Sequence, residues 1–196
     1  MSGMYFEKEP QSASRPVEFG YTYRGEALRF FSDSGVFSKG EVDFGTDVLL
    51  KALPELHGRV LDLGCGYGAV GISAGKAYDI ELTMSDVNRR ALSLAEKNAQ
   101  LNHISARMLE SDGFEGIEGL FDFILTNPPI RAGKETIYRL FKESGEHLTE
   151  DGQLILVIRK QQGAQSAEKY LKTIFECVDA LDKSGGFWVL RCKNKI

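Results

Sequence analysis

The chain is short of sulfur, of proline and of long apolar runs. Its three cysteines, Cys65, Cys177 and Cys192, are odd in number and lack the spacing of a disulfide framework or a metal site, so a reducing, cytoplasmic compartment is expected. No stretch approaches the roughly 18 apolar residues of a membrane span, and the amino terminus has no apolar core behind its charges, so neither a membrane partner nor a leader is expected. The histidines His57, His103 and His147 have no partners at catalytic spacing and receive no chemistry. Positive charge is also in deficit. A net charge of -4 and a pI near 5.5 exclude a protein that coats nucleic acid through bulk charge, although a local basic face survives that average.

What is present is 196 residues with 42% hydrophobic content, enough to bury one good core. A single domain over 1–196 is expected. Residues 1–15 show no apolar period and read as a mobile tail. Residues 16–42 read as a hairpin and a lid: Val17 to Tyr23 alternate at period two, Arg24-Gly25 turns the chain, and Ala27 to Ser32 return. Phe44, Val48, Leu49 and Leu53 then recur at helical spacing and stop at Pro54, predicting a helix over 43–53. From there strands at 59–63, 80–85, 105–109, 121–126 and 153–159 alternate with helices at 68–77, 88–102, 134–147 and 164–175. The last helix places Tyr170, Leu171, Ile174 and Phe175 on one stripe. A closing antiparallel hairpin, 177–182 with 187–193, turns at Ser184-Gly185-Gly186. The pattern predicts an α/β fold with a mostly parallel sheet covered on both faces.

Leu61-Asp62-Leu63-Gly64-Cys65-Gly66-Tyr67-Gly68 places three glycines where a strand reverses into a helix, so the backbone can approach a ligand at the helix amino terminus. Taken alone the loop is ambiguous, because Gly64-x-Gly66-x-x-Ala69 also satisfies the dinucleotide fingerprint. Asp86, at the end of the next strand, suits a ribose hydroxyl in either case, or caps the helix behind it. Asp62 shifts the balance, since a carboxylate at the strand end is unfavourable beside a pyrophosphate and favourable beside an ammonium. The arrangement Asp62-x-Gly64-x-Gly66-x-Gly68 resembles motif I of class I S-adenosylmethionine-dependent methyltransferases, and the resemblance runs over residues 59–193. It implies a Rossmann-like seven-stranded methyltransferase sheet with the amino-terminal hairpin as an extension. The implied cofactor is S-adenosyl-L-methionine, seated by Asp62, Gly64, Cys65, Gly66, Gly68 and Asn127, with Asp86 on the ribose hydroxyls and Asp112 on the adenine amino group.

The second motif follows the strand at 121–126. In Asn127-Pro128-Pro129-Ile130 two prolines fix φ and remove two amide donors, so the turn presents carbonyl acceptors. An exocyclic amine is a poor nucleophile because its lone pair is delocalised. Accepting both its hydrogens, with the Asn127 side chain and the Pro128 carbonyl, aims that lone pair at a sulfonium methyl. Orientation of this kind supplies about 7 to 11 kcal/mol, and no metal is needed. The tetrapeptide resembles that of amine-directed nucleic-acid and glutamine methyltransferases, with Ile130 where most of them carry a stacking aromatic.

A narrower resemblance joins Gly35-Val36-Phe37-Ser38-Lys39, Asp43-Phe44-Gly45-Thr46 and Asn127 to Lys134 to the small-domain methyltransferase family that includes the 16S ribosomal RNA guanine-N2 methyltransferases. There the Gly-Val-Phe-Ser segment lies over the active site, and the long members carry a second, amino-terminal methyltransferase-like domain where this chain has a hairpin. The resemblance implies Asn127, Pro128 and Pro129 as catalytic, and Phe37, Lys39, Ile130, Arg131 and Lys134 as substrate-binding, Phe37 being the candidate stacking ring. With Arg159-Lys160, the basic residues Lys39, Arg131 and Lys134 follow strand ends or sit in the lid, where a phosphate-facing rim would form. The expected reaction is methylation of a guanine amine in RNA, ribosomal RNA or a ribosomal particle being the expected partner. Alternatives are methylation of adenine or of a protein glutamine amide, or a non-catalytic cofactor-binding assembly factor. No oligomeric state is implied.

Overall fold

A computed structural model describes residues 16–33 and 40–196. The expected tail at 1–15 and the lid segment with Phe37 and Lys39 lie outside the described residues. The chain opens with the hairpin β1 (Val17–Tyr23) and β2 (Glu26–Ser32), followed by α1 (Phe44–Ala52). The alternating series is β3 (Gly58–Leu63), α2 (Ala69–Ala77), β4 (Ile80–Asp86), α3 (Arg89–Leu101), β5 (Arg107–Glu110), β6 (Phe121–Thr126), α4 (Lys134–Glu146), β7 (Leu148–Arg159) and α5 (Ala164–Leu171). The antiparallel pair β8 (Phe175–Ser184) and β9 (Phe187–Lys195) closes the chain.

The seven-stranded sheet runs β5-β4-β3-β6-β7-β9-β8. Pairing is parallel from β5 to β7 and antiparallel at β9 and β8. Both faces are covered, so neighbouring strand residues go to opposite cores. Phe123 and Leu125 of β6 join α2, α3 and the hairpin on one face, while Phe121 and Ile124 join α4 and α5 on the other. Leu125 has no exposed surface, and Leu125→Ala would cost about 2–5 kcal/mol through lost burial and the cavity left behind.

Two elements depart furthest from the pattern-based boundaries. Helix α5 stops at Leu171, because Thr173 and Ile174 donate to the carbonyls of Tyr170 and Leu171 in tight turns. Phe175 therefore opens β8 opposite Lys195, where strand pairing buries it as well as a helix stripe would. Strand β7 starts at Leu148, pairs with Phe121, slips through an irregularity and resumes at Gln153.

Among the described residues the hairpin has no third strand beside it, and α3 with its C-cap supplies side-chain partners instead. Asn98 and Asn102, one turn apart, each accept from a β2 amide and donate to a β2 carbonyl: Phe31 for Asn98 (2.8 and 2.9 Å), Arg29 for Asn102 (3.0 and 2.7 Å). Asn98 also donates to the Tyr67 carbonyl at 2.9 Å, linking the hairpin to the glycine turn.

Candidate active site

Helices lie on opposite faces on either side of β3 and β6, so the order of connection reverses there and a crevice opens at the carboxyl ends of these two strands. Thr126 Oγ1 donates to the Leu63 carbonyl at 2.8 Å and ties the two strand ends together. The cleft that results has a volume of about 720 Å³ and takes in both sequence motifs.

Gly64 and Gly66 have positive φ, and a Cβ on either would meet nothing within 4 Å, so their missing side chains leave open space on the cleft. Gly68 also has positive φ, and it differs in its surroundings: a Cβ there would lie 2.7 Å from Ile72 and 2.8 Å from Met84, so its bareness lets α2 pack close to β4. The amides of Gly64 and Cys65 both donate to the Ser85 carbonyl at 2.9 Å. Asp86 accepts from the Gly66 and Asn88 amides, each at 2.8 Å, and burial raises its carboxyl above the ordinary range. The cap of α3 is the Asn88 side chain, so Asp86 holds the glycine turn and does not cap the helix. Asp62 is buried in the cleft wall and accepts from the Gly71 amide at 2.7 Å. Burial, offset in part by that bond, moves its carboxyl from 3.8 up to about 7. The Cys65 thiol is likewise pushed well up by burial and stays protonated.

On the neighbouring strand end, Asn127 donates from Nδ2 to Thr46 Oγ1 of α1 at 3.1 Å. Among the described residues nothing donates to its Oδ1, which remains as an acceptor in a residue lining the cleft. The two prolines divide. Pro129 gives its carbonyl to Ala132 at 2.8 Å, because residues 130–132 wind into a 3-10 turn, so this acceptor is consumed; among the described residues no backbone amide takes the Pro128 carbonyl. Ile130 and Arg131 line the cleft. Lys134 does not: it starts α4 and sets its ammonium 5.1 Å from the Tyr138 ring centre. Asp112 is on the wall but engaged by Arg139 of α4, and that carboxylate raises the Arg139 pKa.

Thr46, Phe187, Asp33 and Arg139 line the cleft without a role expected from the motifs, while Arg159 belongs to the expected basic rim. Thr46 lies in Asp43-Phe44-Gly45-Thr46, and Phe187 follows the Ser184-Gly185-Gly186 turn. Asp33, paired with Arg90 at 3.2 Å, and Arg139 had no local signal, since each arrives by tertiary packing. Ser85 Oγ, fully buried at this cleft, has no hydrogen-bond partner among the described residues. An open glycine cradle, an orphaned hydroxyl and carboxylates at two strand ends fit a ligand with ribose hydroxyls and an ammonium.

The strand order, the closing antiparallel pair and the glycine turn between β3 and α2 define a class I S-adenosylmethionine-dependent methyltransferase. The methyltransferase small domain profile matches residues 27–191, and the chain belongs to that family. YbxB of Bacillus subtilis, an uncharacterised protein, is 41% identical over 99% of this chain and 100% of its own length. Ribosomal RNA small subunit methyltransferase C of Haemophilus influenzae is 37% identical over 86% of this chain and 52% of its own. The T. thermophilus 16S rRNA N2 methyltransferase RsmC, solved in complex with AdoMet and guanosine, superposes with a TM-score of 0.82 at 27% identity, over 95% of this chain and 52% of that one. The chain thus spans about half the length of the ribosomal RNA methyltransferases it matches.

Proposed function

We propose that the protein is a cytoplasmic N-methyltransferase that uses S-adenosylmethionine to methylate the exocyclic amine of a guanine in 16S ribosomal RNA. The observation that carries this reading is Asn127, whose amide nitrogen is held by Thr46 so that its oxygen is left to accept in the cleft. Bound beside Gly64 to Gly68, the cofactor supplies an electrophilic methyl on a sulfonium. The protein's own part is orientation. Asn127 Oδ1 and the Pro128 carbonyl accept the two amine hydrogens, which localises the nitrogen lone pair and directs it across the cleft. Transfer would break the S–CH₃ bond and release neutral S-adenosylhomocysteine, and the proton shed by the methylated nitrogen would pass to solvent at the cleft mouth, so no oxyanion has to be stabilised. Arg131 and Arg159, both on the cleft, suit the phosphates that flank an extruded base.

The test is transfer of labelled methyl from S-adenosylmethionine to total RNA, naked and particle-bound, followed by nucleoside analysis. The expected product is N2-methylguanosine. Label in methyladenosine or in a protein glutamine would reassign the substrate, and cofactor binding with no transfer to any acceptor would favour an assembly factor.

A further inference from the structure

Ile130 offers no ring to a flat substrate, yet the cleft is lined by Phe187, against which a second ring, Phe44, packs. Phe44, the first residue of α1, is 54% exposed, and its ring centre lies 5.8 Å from that of Phe187 at an interplanar angle of 59°. Phe187 opens β9 and lines the cleft. Glycines make the room for both rings. A Cβ on Gly45 would fall 2.8 Å from Cε1 of Phe187, and one on Gly185 would overlap the Phe44 ring. Gly45 precedes Thr46, the residue that holds Asn127, so the ring edge and the acceptor amide are fixed by successive residues of one helical turn. Arg159 pairs with Phe187 across the β7–β9 ladder and sets its guanidinium carbon 5.8 Å from the ring centre.

We propose that Phe187 is the face on which the target base stacks, with Phe44 buttressing the ring and Arg159 placed for the attached phosphate. This rests on the RNA reading above. An extruded base loses its neighbours in the strand and needs a flat apolar replacement, and one base-on-aromatic stack changes affinity by roughly five- to hundredfold. Asn127 would then read the amine while Phe187 sets the plane of the ring that bears it.

The variants are Phe187→Leu, which keeps apolar bulk without a ring, and Phe187→Tyr, which keeps the ring. Guanosine 5′-monophosphate is titrated into protein saturated with S-adenosylhomocysteine, and steady-state methylation of deproteinised small-subunit ribosomal RNA is measured in parallel. Phe187→Leu is expected to weaken nucleotide binding about tenfold and to raise KM for RNA comparably. Its S-adenosylhomocysteine affinity and melting temperature should stay at wild-type values, and Phe187→Tyr should restore binding. Equal nucleotide affinity in Phe187→Leu and wild type would overturn the proposal, as would a parallel fall in S-adenosylhomocysteine affinity, which marks a packing role. If wild type neither binds the nucleotide nor methylates RNA, the RNA reading falls and takes this one with it. If wild type methylates RNA and the leucine variant keeps pace, only the stacking role falls.

Discussion

On the β3–β4 wall of the cleft, polar atoms close on one another: the Ser85 carbonyl takes two loop amides, Asp86 takes two more, and Asp62 takes one from α2. On the β6–β7 wall the Asn127 amide is held by a single bond to Thr46, and prolines replace donors. The first wall is a short stretch of backbone clamped by carboxylates, rigid before any ligand arrives. The second is assembled from α1, the turn after β6 and the β8–β9 hairpin, and it keeps acceptors open. A cofactor is the same molecule at every turnover and suits a preformed seat, whereas a base delivered by a large RNA needs a site that can be entered from outside.

This contrast is broken most sharply by Asn127→Ala. The family resemblance also sets Asn127 beside the cofactor; if its part is with the reacting amine instead, its loss should lower kcat about 10²- to 10³-fold while the calorimetric affinity for S-adenosylmethionine changes less than about twofold. A matching loss of cofactor affinity would mean that the two walls are not separate. Asp86→Asn probes the other side. It weakens the charge-assisted bonds to Gly66 and Asn88, each worth about 1.5–3 kcal/mol, and should reduce cofactor affinity about 10- to 100-fold, with KM for RNA little changed.

The same difference decides what could be read without a structure. Strand and helix periods, the glycine turn and the prolines are local, so their elements form within a few residues of expectation. Asp62 and Asp86 fall at predicted strand ends, where register alone carries them to the cleft. Thr46, Arg139 and Phe187 reach the site through packing between segments far apart in sequence, as the 81-residue separation of Thr46 from Asn127 shows. Lys134 is the converse case. It is next to the motif in sequence, but the 3-10 turn at 130–132 and the start of α4 carry it to the Tyr138 face.

Asp62 sharpens the comparison through pH. Burial holds its folded carboxyl near 7, against 3.8 ordinarily, so the folded state keeps a proton that the unfolded chain has lost. The contribution to stability is therefore complete below about pH 4 and disappears as pH rises to about 7, a total of roughly 4 kcal/mol. Melting temperature should fall across this window, and Asp62→Asn should flatten the fall. A cationic ligand beside the carboxylate favours its ionised form, so cofactor affinity should rise between pH 5.5 and 7, by at most about tenfold per unit. A profile as steep in Asp62→Asn as in wild type would remove Asp62 from the cofactor wall.

The smallest effect is expected where the two walls are joined. Thr46 sits on α1, whose amino terminus is capped by Asp43 and whose side chains pack in the same core as α2 and the glycine turn, yet its hydroxyl serves the acceptor wall. Thr46→Val keeps the shape and removes one hydrogen bond worth about 1 kcal/mol, so Asn127 stays in place but its amide can turn. Because either amide orientation then becomes accessible, kcat should drop about fivefold with unchanged KM for RNA and unchanged cofactor affinity. A rise in KM without loss of kcat would show instead that Thr46 meets the incoming base directly and that Asn127 is oriented by the prolines alone.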